Sequence, residues 1–354
     1  MKPLLLLFVL LFPLIGFTKA YPILDVGDPD LTAEKKDSKN YKANHEINVN
    51  EKPFAIKNPQ TFFERGILKN GYRICLVGDT GNASKRQKLI ASLMNQNCDQ
   101  IRNVGDLVYY IGVKDRRDPL LAQRFLDIYK DMNVPMYITL GNHEYYTNPD
   151  VWLEVANEFP QKYILPNNYY MEFFSLPSKK GLCFISLDTT PFNDASSINV
   201  PRVSAQIKWL DTLPNLVRNR CSKTFSFTHH PFIPAAAGRD EKSSDILKNE
   251  LYEKRLLNYV DMVVAGHDHF LAHYSKLPNS KKGGKFHNIS EIITGTGGML
   301  NMETPIEPRS YGQVFRETGF IQMTLNGSSD SPHMKGTFRF INHLGKEIYR
   351  FEGP

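Results

Sequence analysis

Five short islands carry the residue types that could do chemistry: Gly78-Asp79-Thr80-Gly81, Gly105-Asp106-Leu107-Val108-Tyr109, Gly141-Asn142-His143-Glu144, Thr228-His229-His230-Pro231 and Gly266-His267-Asp268-His269. Together they supply carboxylate, phenol, amide and imidazole donors, a set suited to hard and borderline metal ions. Asp106, placed between two metal positions, would give one oxygen to each and hold the ions at the roughly 3.5–4 Å separation of two-metal hydrolysis. Asn142 offers a neutral carbonyl ligand, which leaves adjacent His143 free to meet a substrate. His267 and His269 stand two apart, so in extended chain they project from one side and can address neighbouring ions.

Each residue alone has an ordinary reading. Asp79, just before the turn from Thr80 to Ser84, suits a helix N-cap. Tyr109 beside Tyr110 suits a half-buried tyrosine, Gly141-Asn142-His143 suits a turn, and any single histidine suits a packed structural role. Number and placement separate the islands from those readings. Every island follows a mostly apolar run of strand character: Ile74 to Val77, Ile101 to Val104, Met136 to Leu140, Thr224 to Phe227 and Met262 to Ala265. Strand ends are where open α/β sheets bind ligands.

The elements that must position these ends alternate. Apolar residues recur at helical spacing in Ala83 to Met94, Leu120 to Tyr129, Val203 to Val217 and Ser244 to Tyr259, which predicts an α/β fold. After Gly266 the character changes to strands joined by turns: Glu291 to Gly295, Gly319 to Leu325, Gly336 to Ile341 and Glu347 to Phe351. No Pro/Gly/Ser linker splits the region, so residues 71–354 read as one domain. Residues 21–70, rich in Lys, Asp, Asn and Glu, read as a polar extension with Phe54, Phe62 and Phe63 as docking points.

Lys2, the uncharged run Leu4 to Phe17 and Thr18-Lys19-Ala20 form a signal-peptide pattern over residues 1–20. That run is shorter than the roughly 20 residues a spanning helix needs. The expected product is a soluble exported protein, secreted or periplasmic, with no transmembrane anchor after cleavage. The formal charge of +6 over 354 residues falls by two to +4 without Lys2 and Lys19. It is spread thinly, so no nucleic-acid partner is expected. Cys75, Cys98, Cys183 and Cys221 could pair in three ways, or stand as buried thiols.

The islands are similar to the five sequence blocks of calcineurin-like metallophosphoesterases, and Tyr109 in the second block narrows the resemblance to purple acid phosphatases of the small, tartrate-resistant type. Tyr110-Ile111-Gly112-Val113 and Gln206-Ile207-Lys208-Trp209-Leu210 extend the likeness, which covers about residues 72 to 351. The resemblance implies a four-layer α/β/β/α sandwich with mixed sheets. It also implies a ferric site of Asp79, Asp106, Tyr109 and His269, and a divalent site (Fe, Zn or Mn) of Asp106, Asn142, His229 and His267. The implied activity is a metal-dependent acid phosphatase acting on a small phosphate monoester, with metal-bound hydroxide attacking and His143 contacting the phosphoryl group. A phosphodiesterase of the same superfamily is the alternative, and a non-catalytic binding protein on the scaffold a further one. One departure limits the likeness. The second substrate-contacting histidine of the small acid phosphatases has no counterpart in Pro234-Ala235-Ala236-Ala237-Gly238-Arg239, which leaves Arg239 or His230 to supply that contact beside Asn142 and His143.

Overall fold

The computed structural model describes residues 61–176, 180–194, 199–239, 243–279, 286–299, 303–306, 309–326 and 335–353. The signal-peptide pattern and most of the polar extension lie outside these residues. Eight strands form one mixed sheet, in the spatial order Phe62–Ile67 (β1), Tyr170–Ser175 (β6), Gly181–Ser186 (β7), Cys221–Phe227 (β8), Met262–Ala265 (β9), Ser290–Thr294 (β13), Leu271–Tyr274 (β10) and Gly312–Phe315 (β14). Seven form the other: Glu347–Gly353 (β17), Lys335–Asn342 (β16), Gly319–Asn326 (β15), Tyr72–Val77 (β2), Gln100–Asn103 (β3), Met136–Ile138 (β4) and Tyr163–Ile164 (β5). A short pair, Leu277–Pro278 (β11) and Phe286–His287 (β12), stands apart from both.

Strand periodicity sets the layers, because successive side chains face opposite sides of a sheet. In β2, Ile74 and Leu76 join an apolar cluster with Phe184, Phe225, Phe227, Ile321 and Phe340, which is the filling between the two sheets. Cys75 and Val77 face the other way, onto the helix Lys85–Asn97 through Ile90 and Met94. The second sheet repeats the logic. Met262 and Val264 of β9 face the inter-sheet core, while Val263 and Ala265 pack with Leu210, Leu213 and Leu251 of the outer helices. The result is helix, sheet, sheet, helix, the four-layer arrangement expected.

Strands β2, β3, β4 and β5 run parallel, as do β7, β8, β9 and β13. Parallel neighbours present their C-terminal ends on the same edge, so the loops after β2, β3 and β4 meet those after β8 and β9 there. Three differences from the sequence expectation stand out, the first two with a physical cause. Phe62–Ile67 is an edge strand parallel to β6 and belongs to the folded sheet, with Phe63 edge-on to Tyr170; its partner lies about a hundred residues away, beyond any local pattern. The single helix expected over Val203 to Val217 is two, Val200–Leu210 and Leu213–Arg220, because Pro214 cannot continue a helix but fits a first turn. The region Ser244 to Tyr259 forms wide helical turns at Ile246–Glu253 and a tight one at Leu256–Asn258.

The four cysteines form two disulfides, Cys75–Cys98 and Cys183–Cys221. The first ties β2 to the end of the helix that follows it, and the second ties β7 to β8. Among the described residues no helix is long and apolar enough to cross a membrane.

Candidate metal centre

The loop after β2 begins with Asp79 in the left-handed region, φ 56°, and the loop after β3 repeats this at Asp106, φ 55°; His267 after β9 stands at φ 70°. A non-glycine residue there is strained by of order 1–3 kcal/mol and persists only where its surroundings over-determine it. Here the surroundings are backbone pairings. Asp79 N donates to Gly105 O at 2.9 Å, Thr80 N to Asp106 O at 3.0 Å, and Gly266 N to His229 O at 3.0 Å. Glycine permits the close approach. A Cβ on Gly141 would lie 2.3 Å from Asp106 Oδ1, and one on Gly266 would lie 2.7 Å from Asp79 Oδ2.

Asp79 is no helix cap. Ser84 caps Lys85–Asn97 by accepting from Gln87 N at 3.1 Å, while Gln87 Oε1 accepts from the N–H of Ala83, the residue before the cap, at 2.7 Å. Asp79 instead turns inward and is fully buried.

Two groups of donors converge, sharing Asp106. In the first, Tyr109 Oη lies 2.8 Å from Asp79 Oδ1, 2.9 Å from Asp106 Oδ2 and 3.2 Å from His269 Nε2. In the second, Asn142 Oδ1 lies 3.0 Å from His229 Nε2 and 2.9 Å from His267 Nδ1, and His229 Nε2 lies 3.4 Å from Asp106 Oδ2. All seven residues expected as ligands thus meet in one cluster, and ligand-type atoms of Asp106, His229 and His267 lie within 4.8 Å of one another.

Electrostatics fit a cation between them. Burial disfavours a charged His229, yet the carboxylates of Asp106 and Asp79 outweigh it and push its pKa up to about 9. Against the raising effect of burial, His229 and His143 hold Asp106 well below the usual carboxylate range. The cluster therefore draws a proton where a metal ion would serve. Burial and the same two carboxylates carry Tyr109 well above its ordinary value, so a phenolate there needs a cation. Burial, His230 and Arg239 hold His267 well below the usual histidine range, which keeps the imidazole neutral as a ligand must be. Hard oxygens with a phenol on one side, and an amide with two imidazoles on the other, fit one harder and one borderline ion.

His143 stands beside this cluster. Its backbone N donates to Asp106 Oδ1 at 3.0 Å and its Nδ1 donates to the Tyr110 carbonyl, which leaves Nε2 facing Asp106 Oδ2 at 3.7 Å. His230 is buried, with Nδ1 2.9 Å from Thr189 Oγ1 and its ring 4.4 Å from that of His267. Arg239 Nη1 donates to His267 Nε2 at 2.7 Å while its Nε donates to Glu303 at 2.9 Å, so it meets His267 through the ring nitrogen that does not face Asn142.

Two island residues to which the sequence lent no role hold the loops. Glu144 is fully buried and accepts from Asp106 N at 3.0 Å, Leu107 N at 2.8 Å and Gly141 N at 2.7 Å, clamping the loop after β3 to the loop after β4. Asp268 accepts from Ala235 N at 2.5 Å and Ala236 N at 3.1 Å, and Glu291 accepts from Phe232 N and Ile233 N at 2.7 and 2.8 Å. The segment leading to Arg239 is thereby fixed by two buried carboxylates. A carboxylate next to strand-end ligands was the available signal; its backbone partners come from distant segments.

Residues 72–271 match the calcineurin-like phosphoesterase family. Purple acid phosphatase 3 of Arabidopsis thaliana is 25% identical over 300 residues, covering 78% of this chain and 77% of the relative. Tartrate-resistant acid phosphatase type 5 of Sus scrofa is 25% identical over 132 residues, covering 33% of this chain and 38% of the relative. Two solved structures share the fold. One, described as GAP50, the anchor in the inner membrane complex of Plasmodium, has a TM-score of 0.62 at 19% identity over 80% of this chain and 89% of its own. The other, purple acid phosphatase PPD1 from yellow lupin (Lupinus luteus) seeds, has a TM-score of 0.54 at 17% identity over 80% of this chain and 54% of its own.

Proposed function

The chain belongs to the calcineurin-like phosphoesterase family, and from that premise we propose that it is an exported binuclear-metal acid phosphatase hydrolysing small phosphate monoesters. The observation that carries the reading is the double convergence on Asp106, with Asp79, Tyr109 and His269 on one side and Asn142, His229 and His267 on the other. The first set would hold a ferric ion and the second a divalent one. Bound there, the pair would supply an activated water at acid pH and neutralise charge on the phosphoryl oxygens.

The chain's own residues do the rest. Glu144 fixes the loop of Asp106 against that of Asn142 by gripping the backbone at Asp106 and at Gly141, the residue before Asn142. Arg239 holds His267, and its charge adds to the attraction for a phosphate. His143, committed through Nδ1 to the Tyr110 carbonyl, presents Nε2 at the edge of the cluster. Burial outweighs the carboxylate of Asp106 and lowers the His143 pKa, so the protonated ring that would hand a proton to the leaving oxygen is confined to acid. Export is supported by the two disulfides, which persist in oxidising compartments, and by the pattern over residues 1–20.

The test compares turnover of an aryl phosphate monoester with that of an aryl diester in acid. Preference for the monoester is expected, and preference for the diester would replace the reading with a phosphodiesterase. An anchoring role, the one described for the Plasmodium neighbour, is the weaker reading here because the full ligand set is retained.

A further inference from the structure

The loop after β4 carries one side chain that neither the ligand set nor the Glu144 clamp uses. Glu144–Tyr146 is a single tight helical turn mounted on the two residues before it: Tyr145 N donates to Asn142 O at 3.1 Å and Tyr146 N to His143 O at 3.4 Å. Glu144 is buried at the start of the turn. Two positions on, Tyr146 emerges with 47% of its surface exposed.

An exposed tyrosine is ordinary by itself. Phe62 on the edge strand β1 and Leu344 in the turn between β16 and β17 are open in the same way. Tyr146 differs in what holds it. Its Oη accepts from Asn142 Nδ2 at 3.3 Å, and its ring stands nearly perpendicular to that of His143, at 78° with 5.1 Å between centroids. His143 also meets the Tyr109 ring at 4.3 Å, so the imidazole touches one buried tyrosine and one open one.

A chain of contacts therefore runs Arg239, His267, Asn142, Tyr146. Charge stands at one end and an aromatic surface at the other. With the phosphoryl group at Asn142 and its leaving oxygen at His143 Nε2, the group carried by that oxygen extends from His143 toward solvent. The exposed ring at His143 is that of Tyr146. Because its hydroxyl and its backbone are both tied to the ligand loop, the ring is fixed before anything binds and loses little freedom on contact.

We propose that Tyr146 determines specificity at the metal centre, its ring packing against the leaving group and favouring a planar aromatic one over an alkyl one. The inference rests on the monoesterase reading. An aromatic contact of this kind is worth roughly a 2- to 10-fold preference.

Benzylphosphonate and ethylphosphonate present the same phosphonate with an aromatic or an alkyl group in the leaving-group position, and neither is cleaved by phosphoester hydrolysis. Calorimetric titration of each into the metal-loaded full protein is the direct test. Benzylphosphonate should bind about 5- to 10-fold tighter. Tyr146→Ser should bring the two ligands to within about twofold of each other, whereas Tyr146→Phe, which keeps the ring and loses the hydroxyl, should keep the preference. No binding of either phosphonate, equal affinities in the parent, or a preference unchanged in Tyr146→Ser would overturn the proposal. Turnover supplies a second arm. The ratio of kcat/KM for phenyl phosphate to that for ethyl phosphate should fall about 5- to 10-fold from the parent to Tyr146→Ser; comparing this ratio between proteins cancels the intrinsic ease with which phenolate leaves. A ratio that the substitution does not change overturns the proposal as well. Failure of the monoesterase reading shows separately, as no turnover of either ester, and the phosphonate titration still decides the contact.

Discussion

Replacing Glu144 with alanine removes the clamp between two ligand loops, and the consequence can be worked from the geometry. Three backbone donors, Asp106 N, Leu107 N and Gly141 N, lose their acceptor inside a site with no exposed surface at Glu144. At about 2 kcal/mol for each buried N–H left unpaired, the loss is about 6 kcal/mol. One effect opposes it. Burial, with Asp106 adding to it, pushes the Glu144 pKa from 4.5 up to about 7. Holding that carboxylate ionised at neutral pH therefore disfavours the fold by about 3 kcal/mol, from about 1.4 kcal/mol per unit of pKa. The net expectation is destabilisation by about 3 kcal/mol in the metal-free protein, read from urea unfolding at neutral pH. Turnover of an aryl phosphate should fall about 10- to 100-fold, the usual penalty for losing support behind metal ligands. Glu144→Gln should fall between: its amide oxygen can keep the bonds from Asp106 N and Gly141 N, while its amide nitrogen meets Leu107 N as a second donor. An alanine variant as stable and as active as the parent would refute the clamp.

Two further outcomes follow from neighbouring groups. Burial outweighs the amide bonds from Phe232 and Ile233 and pushes Glu291 from 4.5 up to about 8, so between those values the folded state holds a proton that the unfolded chain has lost. The sign is therefore negative: stability from this group is fully present below about pH 4.5 and declines by up to about 5 kcal/mol as pH rises to about 8. Urea midpoints measured across that range should fall in the parent and flatten in Glu291→Gln; a parallel decline in both would remove Glu291 as the cause. If the first site holds ferric iron, the purified protein is coloured by charge transfer from the Tyr109 phenolate, and Tyr109→Phe loses the colour. An active, colourless, iron-free protein would exclude the ferric assignment and leave the wider two-metal reading intact.

The ligand atoms were legible in the sequence because their signal is local. Asp79, Asp106, Asn142, His229 and His267 each end or closely follow an apolar strand, and the strands beneath them alternate between two cores as the residue pattern requires. What escaped is held by distant partners. Phe62–Ile67 looks polar and unstructured until it pairs with Tyr170–Ser175. Strand Ser290–Thr294 slips between Met262–Ala265 and Leu271–Tyr274, although Leu271–Tyr274 comes first in the chain. Glu144 and Asp268 read as members of ligand motifs, and only their backbone partners reveal them as clamps. The disulfide pairing likewise depends on which strand and helix ends the fold brings together.

Metal content measured together with phosphomonoester turnover tests the central claim most directly. The expected result is an iron and a divalent ion on each chain, with turnover in acid lost on chelation and lost with the second ion in His229→Ala. Full turnover in a protein stripped of metal, or none with both sites filled, would contradict it.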